Sequence, residues 1–268
     1  MDREPSRAGT GAAGAGAETR HPPVFDGHND VLLRLWMAGA EGAADRFAAT
    51  EKGHIDVGRA REGGFAGGFF AMFAPPGGSF RMPKFDPPYD EPLPEELAQE
   101  KALRIVAGQA GILIALDRAG ALALCRTVAE IEAAMAAGRI AAVMHLEGAE
   151  AIDPDLLALD MLHAAGLRSL GPVWSRPTIF GHGVPFRFPS YGDIGPGLTE
   201  AGKRLARRCG ELGIVFDTSH LNVKGFWDVA EAGLPLVATH SNAHAVSPGA
   251  RNLTDAQLTA IGETGGMV

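Results

Sequence analysis

The stretch IAAVMHLEG, residues 140–148, decides the fold class. Five consecutive apolar residues lead into a histidine and a glutamate, and such an unbroken run is typical of a strand buried on both faces of a parallel sheet. Other short apolar runs also end in polar motifs: FDGHND at 25–30, FDTSH at 216–220 and ATHSNAH at 238–244. Because parallel α/β folds place their chemistry at the carboxyl ends of strands, these motifs are expected to meet at one edge of the sheet.

Outside these motifs, the chain alternates short apolar runs with longer helical patterns, which is typical of repeated βα units. Strands are predicted at 24–26, 67–73, 140–146, 169–173, 214–217 and 236–239, with a seventh starting at 266–268. Helices are predicted at 94–117, 127–137, 154–165, 199–212, 223–232 and 254–264. The pattern predicts an α/β fold, a (β/α)8 TIM-type barrel of the metal-dependent hydrolase kind. Since the predicted strands stop at the start of the seventh, an eight-stranded barrel would need roughly 60 to 100 more residues, and the chain is expected to stop before the last strands.

Length and charge favour a single enzyme domain that acts on small molecules. The 268 residues are 46% hydrophobic and carry a formal net charge of −8, which disfavours nucleic acid and anionic membrane surfaces as partners. Residues 1–21, rich in glycine and alanine, are expected to form a disordered leader, and residues 22–268 a single barrel domain with its C-terminal part missing. The absence of an apolar signal segment or membrane span predicts a cytoplasmic location.

Five residues at the strand ends form a candidate metal site: His28, Asp30, Glu147, His220 and His240. The two-residue spacing of His28 and Asp30 places both side chains on one face of an extended strand. Three imidazoles and two carboxylates suit zinc or a similar ion, and five ligands are more than one four-coordinate ion needs. Two ions are therefore expected, with Glu147 as the bridging catalytic carboxylate and a water shared between the ions as the nucleophile.

The ordered motifs FDGHND, LEGAEAID, FDTSH and THSNAHAV, followed by ARN, resemble the membrane dipeptidase (renal dipeptidase) family of binuclear zinc metallopeptidases. The resemblance covers residues 24–268. It implies a barrel that binds two Zn²⁺ per chain and hydrolyses dipeptides, including those with a C-terminal D-residue, and it implies a homodimer. It also implies that Arg251, in ARN, binds the terminal carboxylate of the substrate, for which a guanidinium fork is well suited.

The sequence departs from the family pattern at two places. Trp174, in GPVWSRP, stands where the family has a substrate-contacting histidine, and His182, in IFGHGVPF, is expected to take over this catalytic and substrate-binding role. His244, in the same loop as His240, is a further candidate for substrate contact. The family's aspartate at the end of the eighth strand, which helps to bind the substrate amine, has no position in this chain.

Two other functions are compatible with the same motifs. Another binuclear amidohydrolase would share the barrel, but such enzymes usually open with HxH and bridge their metals with a modified lysine, whereas this chain has HND and Glu147. A non-catalytic metal-binding barrel fragment is the second alternative. The proline-rich segment 74–93 is too long for a simple βα turn and is expected to form a lid or a dimer contact.

Overall fold

The structure, a computed structural model, describes residues 22–49, 53–76 and 85–268, so the predicted leader at 1–21 lies outside the described residues. The strands, in chain order, are β1 (Val24–Asn29), β2 (Phe65–Phe73), β3 (Tyr89–Asp90), β4 (Ala123–Leu124), β5 (Ala141–Glu147), β6 (Leu167–Gly171), β7 (Arg187–Phe188) and β8 (Val215–Phe216). The helices are α1 (Val31–Met37), α2 (Ala43–Ala48), α3 (Val57–Glu62), α4 (Gln99–Arg118), α5 (Val128–Ala136), α6 (Leu157–Ala165), α7 (Glu200–Leu212), α8 (Val223–Glu231) and α9 (Asp255–Glu263). Within the described ranges, no helix is both long and apolar enough to cross a membrane.

The main sheet is parallel throughout and runs in the order β1-β2-β5-β6-β8, with β4 paired to the start of β5. Beyond β8, single parallel bridges join Asp217 to Val237 and Val237 to Met267. Strands and helices alternate along most of the chain, as βα units require. The predicted α/β class with a parallel sheet is confirmed.

The sheet curls into part of a barrel. A Cβ atom added to Gly27 in β1 would lie only 2.1 Å from the carbonyl oxygen of Thr239, so the first strand packs directly on the segment after Val237. The rings of His28 and His240 stack with their centroids 4.0 Å apart. Glycine is needed at position 27 because the two backbones approach too closely for any larger residue.

Strand β5 shows how the curled sheet separates packing from chemistry. All seven residues of the strand are buried, as its unbroken apolar run predicts. Ala142, Met144 and Leu146 belong to the main core cluster formed with the helices. His145 and Glu147 alternate with them and therefore point into the barrel interior.

Some elements differ from the predictions. The segment 236–239 makes only two isolated bridges, both at Val237, and α6 begins at Leu157 rather than at 154. The reason for the later start is the Asp153 carboxylate, which accepts hydrogen bonds from the backbone N–H groups of Leu157 and Ala158. Gly166 ends α6 as predicted.

A small antiparallel ribbon, β3 paired with β7, was not predicted. It joins Tyr89 to Phe188, and their rings stack at a centroid distance of 6.0 Å. Residues 77–84 of the proline-rich segment that precedes β3 lie outside the described residues. Next to the ribbon, Phe186 contacts Trp174, with ring centroids 5.2 Å apart, so the ribbon borders the carboxyl end of the sheet.

Candidate metal centre

The five predicted ligands come together at the carboxyl ends of the parallel strands. His28 lies near the end of β1 with Asp30 just after it, and Glu147 is the last residue of β5. His220 follows β8 in a tight turn with φ of 69°, a left-handed conformation that non-glycine residues seldom adopt. His240 follows the bridge at Val237. The turn at His220 is what directs its ring back over the sheet.

Glu147 lies at the centre of the cluster. Its Oε1 is 3.1 Å from Nε2 of His220 and 3.3 Å from Nε2 of His240, whereas its Oε2 is 3.6 Å from Nε2 of His28. Oδ1 of Asp30 lies 3.9 Å from the same His28 nitrogen. The two carboxylate oxygens of Glu147 therefore face different groups of ligands.

Burial keeps the three imidazoles neutral. It lowers the pKa of His28 to about 4 and that of His240 to about 4, the latter with a further contribution from Arg251. Burial and the charge of Arg251 also lower the pKa of His220 well below its usual value. At neutral pH each ring is uncharged and can offer a lone pair, which is the state that a metal ligand needs.

The donor set fits a divalent metal ion. One ligand atom from each of His28, Glu147 and His240 lies within 4.8 Å of the others. Burial raises the pKa of Glu147, and His28 and Arg251 oppose that rise, so the carboxylate is short of compensating positive charge. Imidazole nitrogens and carboxylate oxygens without a thiol are a common set for zinc, and a cation placed among them would supply the missing charge.

Arg251, which the family resemblance implies to be a substrate-binding residue, lies beside the ligand cluster. Its guanidinium donates to the carbonyl oxygen of His240 at 3.0 Å and to Oγ of Ser241 at 3.4 Å. Burial lowers its pKa to about 10, which leaves it cationic at neutral pH. It lines a cavity of about 290 Å³ together with the five candidate ligands.

The rest of that cavity wall is apolar and consists of Leu33, Phe73, Trp174 and Phe186. Trp174, which stands where the family pattern has a histidine, contacts both phenylalanine rings. The cavity thus has a polar floor and an aromatic wall, the arrangement expected of a small-molecule site. Sequence reasoning treated Trp174 only as a departure and missed this wall, because its members come from separate segments.

His182 and His244 are not among the residues that line this cavity. The His244 ring is engaged elsewhere: its Nε2 lies 3.0 Å from the carbonyl oxygen of Ser190, and Tyr191 packs against it edge-on. His182 is half-buried in the loop after Trp174. The roles predicted for both histidines in substrate contact stay predictions.

Buried polar residues next to the site were also missed. Asp217, the first residue after β8, is almost fully buried, yet His145, His240 and two backbone N–H groups outweigh the burial effect and hold its pKa below the usual value. Arg176 is fully buried, and its Nε donates to Oε1 of Glu150 at 2.5 Å. The available signal was the position of Asp217 directly after an apolar run, the same signal that identified the ligands.

Comparison with known proteins agrees with the geometry. The family model for membrane dipeptidases, peptidase family M19, matches residues 15–268. An uncharacterised protein of the PQQ-III 3' region from Acinetobacter calcoaceticus is 43% identical over 260 residues, which are 93% of this chain and 80% of that protein.

Two solved structures are also similar. A metallopeptidase from Rhodobacter sphaeroides, liganded with a phosphinate mimic of the dipeptide L-Ala-D-Ala, has 51% identity and a TM-score of 0.86, covering 92% of this chain and 72% of its own. The dipeptidase AC, a metallopeptidase of family M19, has 52% identity and a TM-score of 0.85, covering 90% of this chain and 70% of its own. With a family match over most of its length, this chain belongs to the membrane dipeptidase family, peptidase family M19.

Proposed function

We propose that this protein hydrolyses the peptide bond of dipeptides with two divalent ions, zinc being the ion that the donor set suits best. The observation that carries the proposal is the convergence of three imidazoles on Glu147, with Asp30 next to His28, in one cavity with Arg251. Family membership supports the reaction class. The bound mimic of L-Ala-D-Ala in the Rhodobacter sphaeroides relative supports a dipeptide substrate, including one with a C-terminal D-residue.

Each ion has its own set of ligands in this proposal. His28 and Asp30, with Oε2 of Glu147, would hold one ion, and His220 and His240, with Oε1 of Glu147, would hold the other. The distances from the two Glu147 oxygens to the different imidazoles support this division. When bound, such ions would supply Lewis-acid chemistry: they would polarise the scissile carbonyl and lower the pKa of a shared water, the proposed nucleophile.

The remaining residues of the cavity bind and orient the substrate. Arg251 would pair with the terminal carboxylate, because its guanidinium is buried at the cavity wall and remains cationic. Phe73, Trp174 and Phe186 would cover the substrate side chains and exclude bulk water, which strengthens each electrostatic contact in the site. A volume of about 290 Å³ suits a short peptide rather than a folded protein.

The roles of His182 and His244 in substrate contact belong to this proposal too, and they require these residues to approach the cavity when substrate binds. Substituting each one with alanine tests this. Loss of a histidine that contacts the substrate would raise KM or lower kcat without changing the metal content. A homodimer and a cytoplasmic location likewise remain predictions. Light scattering of the purified protein tests the homodimer.

The proposed function is tested by measuring metal content and dipeptide hydrolysis on the same sample. About two ions per chain by elemental mass spectrometry, together with hydrolysis of L-Ala-D-Ala and L-Ala-L-Ala that is lost on chelation, is the expected result. Two bound ions without hydrolysis of any dipeptide would favour the non-catalytic metal-binding alternative. Hydrolysis that survives complete metal removal would contradict the proposal.

A further inference from the structure

A buried hydroxyl connects a carboxylate to one of the candidate metal ligands. Oγ1 of Thr239 lies 2.7 Å from Oδ2 of Asp217 and 2.8 Å from Nδ1 of His240. The second carboxylate oxygen of Asp217 accepts hydrogen bonds from the backbone N–H groups of Ser219 and Thr239, at 3.0 and 2.9 Å. These bonds fix the carboxylate in place, so the donor and the acceptor in each hydrogen bond of Thr239 can be assigned.

Counting hydrogens assigns that direction. A threonine hydroxyl has one hydrogen to donate, and an ionised carboxylate can only accept. The hydroxyl hydrogen of Thr239 is therefore used in the bond to Asp217. The remaining short contact, to Nδ1 of His240, requires the imidazole to be the donor. A neutral imidazole that carries its proton on Nδ1 has a free lone pair on Nε2.

We propose that Asp217 and Thr239 are positioning residues, which hold His240 in the tautomer that keeps the Nε2 lone pair directed at the metal site. The proposal rests on the proposed function, in which His240 binds a divalent ion. Nε2 of His240 lies 3.3 Å from Oε1 of Glu147 and 3.0 Å from Nε2 of His220, so its lone pair faces the other candidate ligands. Metal-binding histidines commonly donate their second nitrogen in this manner, which orients the ring.

His220 provides an internal contrast. Its Nδ1 contacts Oγ of Ser175 at 3.2 Å. Within the described ranges, the Ser175 hydroxyl contacts no carboxylate, so it can either donate to Nδ1 of His220 or accept from it. This hydroxyl therefore does not select one tautomer of His220. His240 differs because the Thr239 hydroxyl already donates its one hydrogen to Asp217 and can only accept from His240.

Replacing Asp217 with asparagine should reverse the direction of donation in the hydrogen bonds that join residue 217, Thr239 and His240. The two backbone donors require the amide oxygen to take the place of Oδ1, which puts the amide NH₂ next to Thr239. The threonine oxygen would then accept from the amide, and its hydrogen would turn toward Nδ1 of His240. The imidazole proton would move to Nε2, where it would compete directly with a metal ion.

The test compares four variants with the wild-type chain. Thr239→Val removes the connecting hydroxyl at nearly constant volume, whereas Thr239→Ser retains a hydroxyl there. Asp217→Asn reverses the direction in which the Thr239 hydroxyl donates. Thr218→Val is the matched control, because the Thr218 hydroxyl is buried next to Asp217 in the chain but donates to the carbonyl of Val237 at 2.8 Å. Zinc affinity is measured by competition with a chelator, and the His240 tautomer by long-range ¹H–¹⁵N NMR of the metal-free protein.

We expect Thr239→Val and Asp217→Asn to weaken zinc binding roughly 10- to 100-fold, with Thr239→Ser and Thr218→Val close to wild type. The NMR spectrum of the wild type should show the proton of His240 on Nδ1, a readout that needs no variant to fold. A proton on Nε2, or equal zinc affinity in Thr239→Val and Thr218→Val, would overturn the proposal. Loss of dipeptidase activity alone would not, since affinity and tautomer are measured without substrate. A wild-type chain that binds no zinc would overturn the proposed function and this inference together.

Discussion

Replacing Arg176 with methionine is expected to destabilise the protein strongly, because it leaves Glu150 buried without its cation. Both side chains are almost inaccessible to solvent, at 0% and 2% exposure, and the guanidinium Nε donates to the carboxylate at 2.5 Å. Removing one partner of a buried pair costs about 3–5 kcal/mol, since the remaining charge stays desolvated. At about 2–4 °C per kcal/mol for a domain of this size, Tm should fall by roughly 6–20 °C.

The loss should depend on pH in a defined direction. Burial raises the pKa of Glu150 above its ordinary value of 4.5, and Arg176 opposes that rise. Without the arginine, the folded-state pKa of Glu150 rises further, so the folded variant holds a proton that the unfolded chain releases. A carboxyl with a raised pKa destabilises the fold increasingly as pH rises above the unfolded value. The Tm deficit of the variant should therefore be small near pH 4.5 and grow toward neutral pH.

Calorimetry of the metal-free protein between pH 4.5 and 7.5 measures both effects. Arg208→Met is the matched control, because Arg208 pairs with Asp160 at 2.8 Å on the surface, where solvent screening leaves such a pair little effect on stability. Equal Tm losses in the Arg176 and Arg208 variants would refute the reasoning. So would an Arg176→Met deficit that stays constant across this pH range.

Three further predictions concern the site and the thiols. Glu147→Ala should abolish binding of both ions, since its two oxygens face different ligand groups, and two ions retained by elemental mass spectrometry would contradict the bridging role. Arg251→Lys should cost about 1.5–3 kcal/mol of transition-state stabilisation for dipeptides, which lowers kcat/KM roughly 10- to 150-fold, while dipeptide amides, which lack the carboxylate, change little. Iodoacetamide at pH 8 should leave the folded protein unlabelled by intact mass, because Cys125 and Cys209 are buried and burial raises the pKa of Cys209 to about 12; labelling of either thiol before denaturation would show that reasoning to be wrong.

The sequence was sufficient to predict the α/β class and the meeting of the metal-type residues. Both predictions depend on local signals: an apolar run marks a buried strand, and a polar residue at its end marks the carboxyl edge of the sheet. Glu147 illustrates this, because β5 is buried on both faces and its last residue emerges at the cluster. Parallel pairing then brings the strand ends together without any further information.

Contacts between distant segments could not be predicted in this way. The wall formed by Phe73, Trp174 and Phe186 depends on how the end of β2 meets the segment between β6 and β7, and no periodicity in the sequence predicts that contact. The bond from Thr239 to Asp217 depends on the single bridge between Asp217 and Val237, which sets the register between two segments. Such pairings are determined by tertiary packing rather than by local propensity.

The close approach of Gly27 to Thr239 means that the candidate ligands come from both edges of the curled sheet. The two proposed ions, each with Glu147 as a ligand, would connect His28 at the end of the first strand to His240, in a segment that follows the strands of the main sheet. A polypeptide that is synthesised only part of the way to His240 lacks some of these ligands. Binding of both ions would therefore indicate that the sheet has curled correctly. An ion at a thousand times its Kd would raise the free energy of unfolding by about 4 kcal/mol. A chelator would remove that stabilisation without breaking a covalent bond.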